Sequence, residues 1–168
     1  MHKRPPQNRP MSRAHWLELG LTALSEGGPG AITLDALTAR AGRTRGSFYH
    51  HFRGQEDFIA GVLSAWRERS SLSPGGETPF DALDPALETA VRRLTGAQAA
   101  EIVAAVDAAR IRQLRDLHAA PASPAAADYA EIFYAVYLGL LTLDGGAPDR
   151  AGALLSLTGE MIEAHWNE

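Results

Sequence analysis

The stretch AGRTRGSFYHHFRGQEDF, residues 41–58, gathers three arginines and two adjacent histidines around Gly42 and Gly46. Side chains of these types serve three kinds of chemistry: acid–base or nucleophilic catalysis, metal ligation, and recognition of a polyanion. Catalysis needs a convergent nucleophile and base. The sequence holds no GxSxG, no Walker-type loop and no HExxH, and its other histidines, at 2, 15, 118 and 165, are scattered, so we read no enzyme. Metal ligation fares no better. On a helix His50 and His51 diverge by about 100°, and no suitably spaced carboxylate or third histidine joins them, so neither a metal nor a cofactor is expected. A polyanion uses more of what is there. Arg43 and Arg45 suit phosphate, or Arg45 can pair bidentately with guanine O6 and N7. Gly46 allows close backbone approach, and Ser47 can bond a phosphate or a base edge. Neutral imidazoles there would gain charge as pH falls, giving a mild pH dependence.

These residues need elements to hold them. Ser12 can cap a helix to about Glu26 with Leu17, Leu21 and Leu24 on one face, and GGPG at 27–30 stops it. Thr33 can cap a short helix, LDALTARA, with Leu34, Leu37 and Ala41 inward, and Gly42 supplies the left-handed turn that ends it. Thr44 can cap a third helix through about His51, with Phe48 and Phe52 on its inner face and Tyr49, His50 and His51 outside. A fourth, from about Gln55 to Ser70, carries Phe58, Ile59, Val62, Leu63 and Trp66 as a buried stripe. Further helices are expected near 80–94, 97–119, 124–143 and 149–166, broken at Gly96, PASP and DGGAPD, and nothing reads as a strand. Two short helices across a glycine turn, braced by a third, form helix-turn-helix geometry whose second helix can enter a major groove. Spacing alone leaves DNA binding open, because such helices also occur in proteins that never touch it.

Charge follows the same division. The net charge is −4, but residues 1–53 set eight cations against three acids, for +5, while residues 54–168 set eight arginines against seventeen acids, for −9. A basic head on an acidic body suits an anionic partner that meets only the head. With no cysteine, disulfides and thiolate metal sites are excluded. No run approaches the ~18 apolar residues of a membrane span, and MHKRPPQNRP lacks a signal-peptide core, so a soluble, cytoplasmic protein is expected without a membrane partner. We divide the chain into a disordered basic arm (1–11), a DNA-binding head (12–53) and a helical body (54–168). Lys3, Arg4 and Arg9 of the arm can follow the phosphates, enter the minor groove, or simply fray.

The run ITLDALTARAGRTRGSFYHHFRGQEDF, residues 32–58, closely resembles the signature of the TetR family of bacterial transcriptional regulators. Thr33, Gly42, Gly46, Ser47, Phe48, Tyr49, His51, Phe52 and Glu56 match it position by position. The resemblance implies an all-α chain with an N-terminal three-helix helix-turn-helix DNA-binding domain and a helical C-terminal ligand-binding and dimerisation domain. It also implies a homodimer on double-stranded DNA, typically a repressor whose operator binding a small-molecule effector weakens. Two positions depart. The family usually has an apolar residue at Arg43, and at Gln55 a lysine that contacts a phosphate. The expected DNA-facing set is Thr33, Arg43, Thr44, Arg45, Gly46, Ser47, Tyr49, His50, His51 and Gln55.

In the body, IFYAVYLGLL at 132–141 is apolar nearly all round. Residues 149–166 present two apolar faces, one with Leu154, Leu157, Met161 and His165, the other with Ala151, Leu155, Ile162 and Trp166. Helices near 124–143 and 149–166 are therefore the expected dimer surface, or else a wholly internal pair. Trp66, Ile102, Val106, Arg110, Leu114, Phe133, Tyr134 and Tyr137 are candidates to line a ligand cavity, though each would serve equally as core. For Arg110 an ion pair with Asp107 on a solvated helix face is the simpler expectation, as is Arg112 with Asp116. Two further readings stay open: a DNA-binding dimer with no ligand, and an adaptor that has lost DNA binding.

Overall fold

The computed structural model describes residues 11–73, 78–117, 125–143 and 148–166. Its helices are α1 (Arg13–Gly27), α2 (Leu34–Ala41), α3 (Arg45–Tyr49), α4 (Gln55–Glu68), α5 (Pro85–Arg92), α6 (Ala97–Leu117), α7 (Ala125–Leu143) and α8 (Pro148–Trp166), with a 3-10 turn over Pro29–Ile32. No strand occurs among the described residues, and the chain is all-α as its periodicity predicts. Within the expected arm, residues 1–10, including Lys3, Arg4 and Arg9, lie outside the described residues, whereas Met11 packs against the core.

Local chemistry sets the boundaries. The Ser12 hydroxyl accepts from the His15 N–H at 3.2 Å and starts α1. Its buried stripe is led by Trp16 with Leu21 and Leu24, while Leu17 stays half-buried. Where α1 crosses α4, a Cβ on Gly20 would fall 2.6 Å from the Phe58 ring, so the close approach depends on this glycine. Helix α3 ends at Tyr49, short of the expected His51, because the His51 N–H reaches back only three residues to the Phe48 carbonyl at 2.9 Å. Helix α5 is also shorter than the expected 80–94. Pro85 occupies its first turn, and the Asp84 carboxylate caps Ala86 and Leu87 N–H groups at 3.0 and 3.3 Å.

Two apolar clusters hold the helices together. One runs from Trp16, Leu24 and Ile32 through Phe48, Phe52, Phe58 and Trp66 to Val91 and Val106, so it joins α1–α4 to α5 and α6. The other joins Phe80 and Leu114 to Tyr129, Phe133, Tyr134 and Tyr137 of α7 and Leu155 of α8. Phe80 stacks on Tyr137 with ring centroids 4.1 Å apart. Among the described residues no helix is long and apolar enough to cross a membrane.

Candidate nucleic-acid interface

Helices α2 and α3 are fixed to each other by their caps. Thr33 and Thr44 each accept a backbone N–H through the side-chain oxygen, from Ala36 and Ser47, both at 3.3 Å. Between them Gly42 adopts φ 59° and ψ 38°, a left-handed conformation that costs glycine nothing. The next N–H, of Arg43, bonds the Thr38 carbonyl at 3.0 Å and closes the end of α2. Helix α3 has only five residues, too short to persist alone, so packing must hold it. Phe48 supplies that: its ring meets Trp16 edge-on at 5.5 Å and lies 5.1 and 5.3 Å from Phe52 and Phe58. Burying such a ring contributes about 1.5–3 kcal/mol.

The outward side gathers half of the expected set. Arg43, Thr44, Ser47, His50 and His51 share a hollow of about 470 Å³ with Gly42 and Met11. Tyr49 stands beside it, 55% exposed. A Cβ added to Gly46 would meet only the Thr44 hydroxyl, at 3.7 Å, so internal packing does not require glycine there. Thr33 and Thr44 use their oxygens as caps, and each retains a hydroxyl proton to donate outward.

Four residues are arranged differently from the sequence expectation. Arg45 is engaged by Asp35 of α2, its Nη2 and Nε donating to one carboxylate oxygen at 2.6 and 3.1 Å. Gln55 turns its amide back to the Ile32 carbonyl at 3.5 Å, beside the start of α2. The His50 and His51 rings, expected to diverge, meet edge to face at 5.0 Å because both follow the last turn of α3. Among the described residues no group of three or more His, Cys, Asp or Glu side chains could hold a metal.

Most of the body candidates divide between the two cores. Val106 belongs to the first core cluster with Ile102 packed against it, and Leu114, Phe133, Tyr134 and Tyr137 belong to the second. Trp66, itself core, lines a cleft of about 350 Å³ between α1 and α5, and Tyr137 lines a smaller hollow of about 250 Å³ beside Phe80 and Leu155. Arg110 overturns its expectation. It is 0% exposed, and its partner is Glu88, not Asp107. Asp107 instead pairs with Arg92 at 2.7 Å. Arg112 and Asp116 are both exposed with no ion pair between them, and Arg115 reaches Glu131 on α7 at 2.6 Å. Sequence reading missed Glu88 altogether. The signal was present, since Glu88 lies three residues before Val91 on the inner face of α5.

Burial shapes the titration of these groups. Burial opposes the charged forms of Arg110 and Asp107, but the hydrogen bonds that Arg110 donates to Glu88, and those that Asp107 accepts from Arg92 and Tyr134, prevail, raising the first pKa and lowering the second. Burial and the Asp107 hydrogen bond push Tyr134 up to about 12. The Tyr137 hydroxyl is buried without a hydrogen-bond partner, and desolvation drives its pKa up as well.

Residues 17–62 match the family described as bacterial regulatory proteins, tetR family. No curated protein matches the sequence. Among solved structures, a transcriptional regulator from Rhodococcus sp. Rha1 is similar with a TM-score of 0.70 at 20% identity, covering 90% of this chain and 95% of its own. SmeT, the repressor of the Stenotrophomonas maltophilia multidrug efflux pump SmeDEF, is similar with a TM-score of 0.53 at 19% identity, covering 92% and 89%. At these identities the likeness is one of fold.

Proposed function

Because its amino-terminal domain belongs to the tetR family of bacterial regulatory proteins, we propose that this chain is a cytoplasmic, homodimeric repressor, held on a palindromic operator by two copies of α3 and released by a small ligand. Residues 12–53 are the reading head and residues 54–168 the regulatory and dimerising body. One observation carries the DNA reading: Arg43, Thr44, Ser47, His50 and His51 converge on one outward hollow, around a short helix anchored from behind by Phe48. Such a helix reaches into a major groove while its flanks meet phosphate.

The dimer reading is supported by apolar side chains that stay outside the core. Leu143 is 82%, Met161 65%, Leu157 50% and Ile132 48% exposed, all on α7 and α8. Leu155, on the other face of α8, is buried, so that helix has one face in the core and another available to a second copy. The side chains of Ala151, Ile162, His165 and Trp166 lie outside the described residues. A ligand that empties a nearly full operator must favour the released form by roughly 5 kcal/mol. Ligand-free operation is the second reading, and the packing of Ile102, Val106, Leu114, Phe133, Tyr134 and Tyr137 into the cores favours it.

Selection of bound fragments from a random duplex pool tests the proposal. A palindromic consensus is expected; retention of no duplex in dilute buffer refutes it. Thermal shifts with candidate compounds then separate the two readings, because a ligand that prefers the folded dimer raises its melting temperature.

A further inference from the structure

The body contains a buried charged network with no counterpart in the DNA interface. Glu88 is 2% exposed, and two side chains on other helices converge on it. Arg110 of α6 grips both its oxygens at 2.7 and 2.8 Å, and the Trp66 indole N–H of α4 donates to it at 2.7 Å. Arg110 also donates through Nε to the Ser70 carbonyl just past α4, at 2.8 Å. The network continues to α7. The Tyr134 hydroxyl lies 3.5 Å from Arg110, accepts from Arg92 at 2.9 Å and donates to Asp107 at 2.6 Å. Two carboxylates and two guanidiniums, on α5 and α6, thus balance one another, and Trp66 and Tyr134 tie them to α4 and α7.

Such a cluster is not needed for stability, since well-packed apolar residues of similar volume usually hold a core as well. What the ions add is direction, because each hydrogen bond fixes an angle that oil-like packing leaves adjustable. The bonds to Trp66 and Ser70 fix the far end of α4, whose near end carries Phe58 into the head core. From Trp66 back to Gln55 α4 runs about 16 Å, so a tilt of ~5° at Trp66 moves the head end by about 1.4 Å.

We propose that Glu88 is a positioning residue that locks the tilt of α4, and with it the reading head, to the dimer-side helix α7. The assignment rests on the dimeric DNA-binding reading for its consequence: the clamp sets which half-site spacing the paired heads accept. One extra base pair shifts the second half-site by about 3.4 Å and a tenth of a turn, which a locked pair of heads cannot follow.

The test is a double variant, Glu88→Leu with Arg110→Met, which removes both charges together and so avoids stranding either. Since the chain lacks cysteine, Ala39→Cys on α2 and Arg112→Cys on α6, both exposed, accept spin labels cleanly. Labelled chains are diluted into unlabelled protein, and the head-to-body distance is measured by pulsed dipolar spectroscopy without DNA. A narrow distribution in the otherwise native protein and a broadened or displaced one in the double variant, with melting temperatures within a few degrees, is the expected result. Equal distributions overturn the clamp, whatever the protein does with DNA. On operators whose spacer differs by one base pair, the native protein should lose about tenfold in affinity and the variant less than about threefold. Equal losses overturn the spacing role. Failure of the native protein to bind any duplex sinks the functional reading instead, and the distance measurement still decides the clamp.

Discussion

If Arg45 reads a base edge with the Nε and Nη2 donors it now gives to Asp35, it must release that carboxylate, which makes Asp35→Asn an informative change. The ion pair is short, at 2.6 Å, but both side chains are largely exposed. A pair in that setting contributes about 0.2–1 kcal/mol to stability. If base reading breaks it, the same amount is subtracted from affinity. The Asp35 carboxylate also stands in the first turn of α2, beside the proposed phosphate-facing surface, and its charge would repel a duplex there. Against this, loss of a carboxylate at a helix N-terminus costs about 0.3–1 kcal/mol of stability. The asparagine amide can still accept one hydrogen bond from Arg45 without the charge. The expected result is an operator affinity raised by roughly two- to tenfold, with stability lowered by about 0.5–2 kcal/mol. Fluorescence anisotropy across a salt series measures it, with Arg45→Ala and the double variant closing the cycle. Arg45→Ala alone should cost about 1–3 kcal/mol and relax preference at one base pair if it contacts guanine. If Asp35→Asn weakens binding, and adding Arg45→Ala to it changes nothing further, Asp35 aims Arg45 at the DNA and the competition argument is wrong.

Gln55→Lys should raise affinity and steepen the salt dependence by close to one counterion; an unchanged slope would show that the start of α4 stays off the phosphates. Phe48→Ala should cost about 3–5 kcal/mol, read by denaturant unfolding, because the ring is the anchor of α3. Leu157→Glu with Met161→Glu should convert the dimer to monomer in sedimentation while leaving helicity intact; persistence of the dimer would move the interface elsewhere. For Asp107 the folded pKa lies below its ordinary 3.8, so its contribution to stability is present above about pH 4 and lost as pH falls through the folded value. Melting temperature against pH should therefore fall less steeply on the acid side in Asp107→Asn.

The head was legible because its structure is local. Thr33, Gly42 and Thr44 cap and turn the chain within three or four residues of themselves, and those spacings can be read along the sequence. Phe48 and Phe52, four apart, announced their shared face in the same way. What escaped was set by chain folding back on itself. Asp35 meets Arg45 ten residues on, and Gln55 meets Ile32 twenty-three residues back. Trp16 leads the α1 stripe over Leu17 because Phe48, from another helix, stands beside it.

The body inverts that relation between spacing and structure. Arg110 and Asp107, three apart, make the pair a helix surface would favour, yet each finds its partner on α5. The reason lies in burial. On a solvated face, neighbours three or four residues apart gain a few tenths of a kcal/mol, and water remains a competitive partner. Once Arg110 is wholly buried, water no longer competes, and the guanidinium must be met by a full set of acceptors at once. A carboxylate on its own helix can offer only one edge. Glu88 faces it from another helix with both oxygens, and the Ser70 carbonyl and Tyr134 hydroxyl take up the rest. Helical spacing is therefore a guide to charges that stay wet. For charges that do not, the clue is an acid among apolar neighbours, as Glu88 is beside Leu87 and Val91, together with a cation elsewhere that is similarly misplaced. Such a pair specifies how helices sit rather than whether they form, so the same residues that defeated the periodic reading are the ones that can carry a signal between body and head.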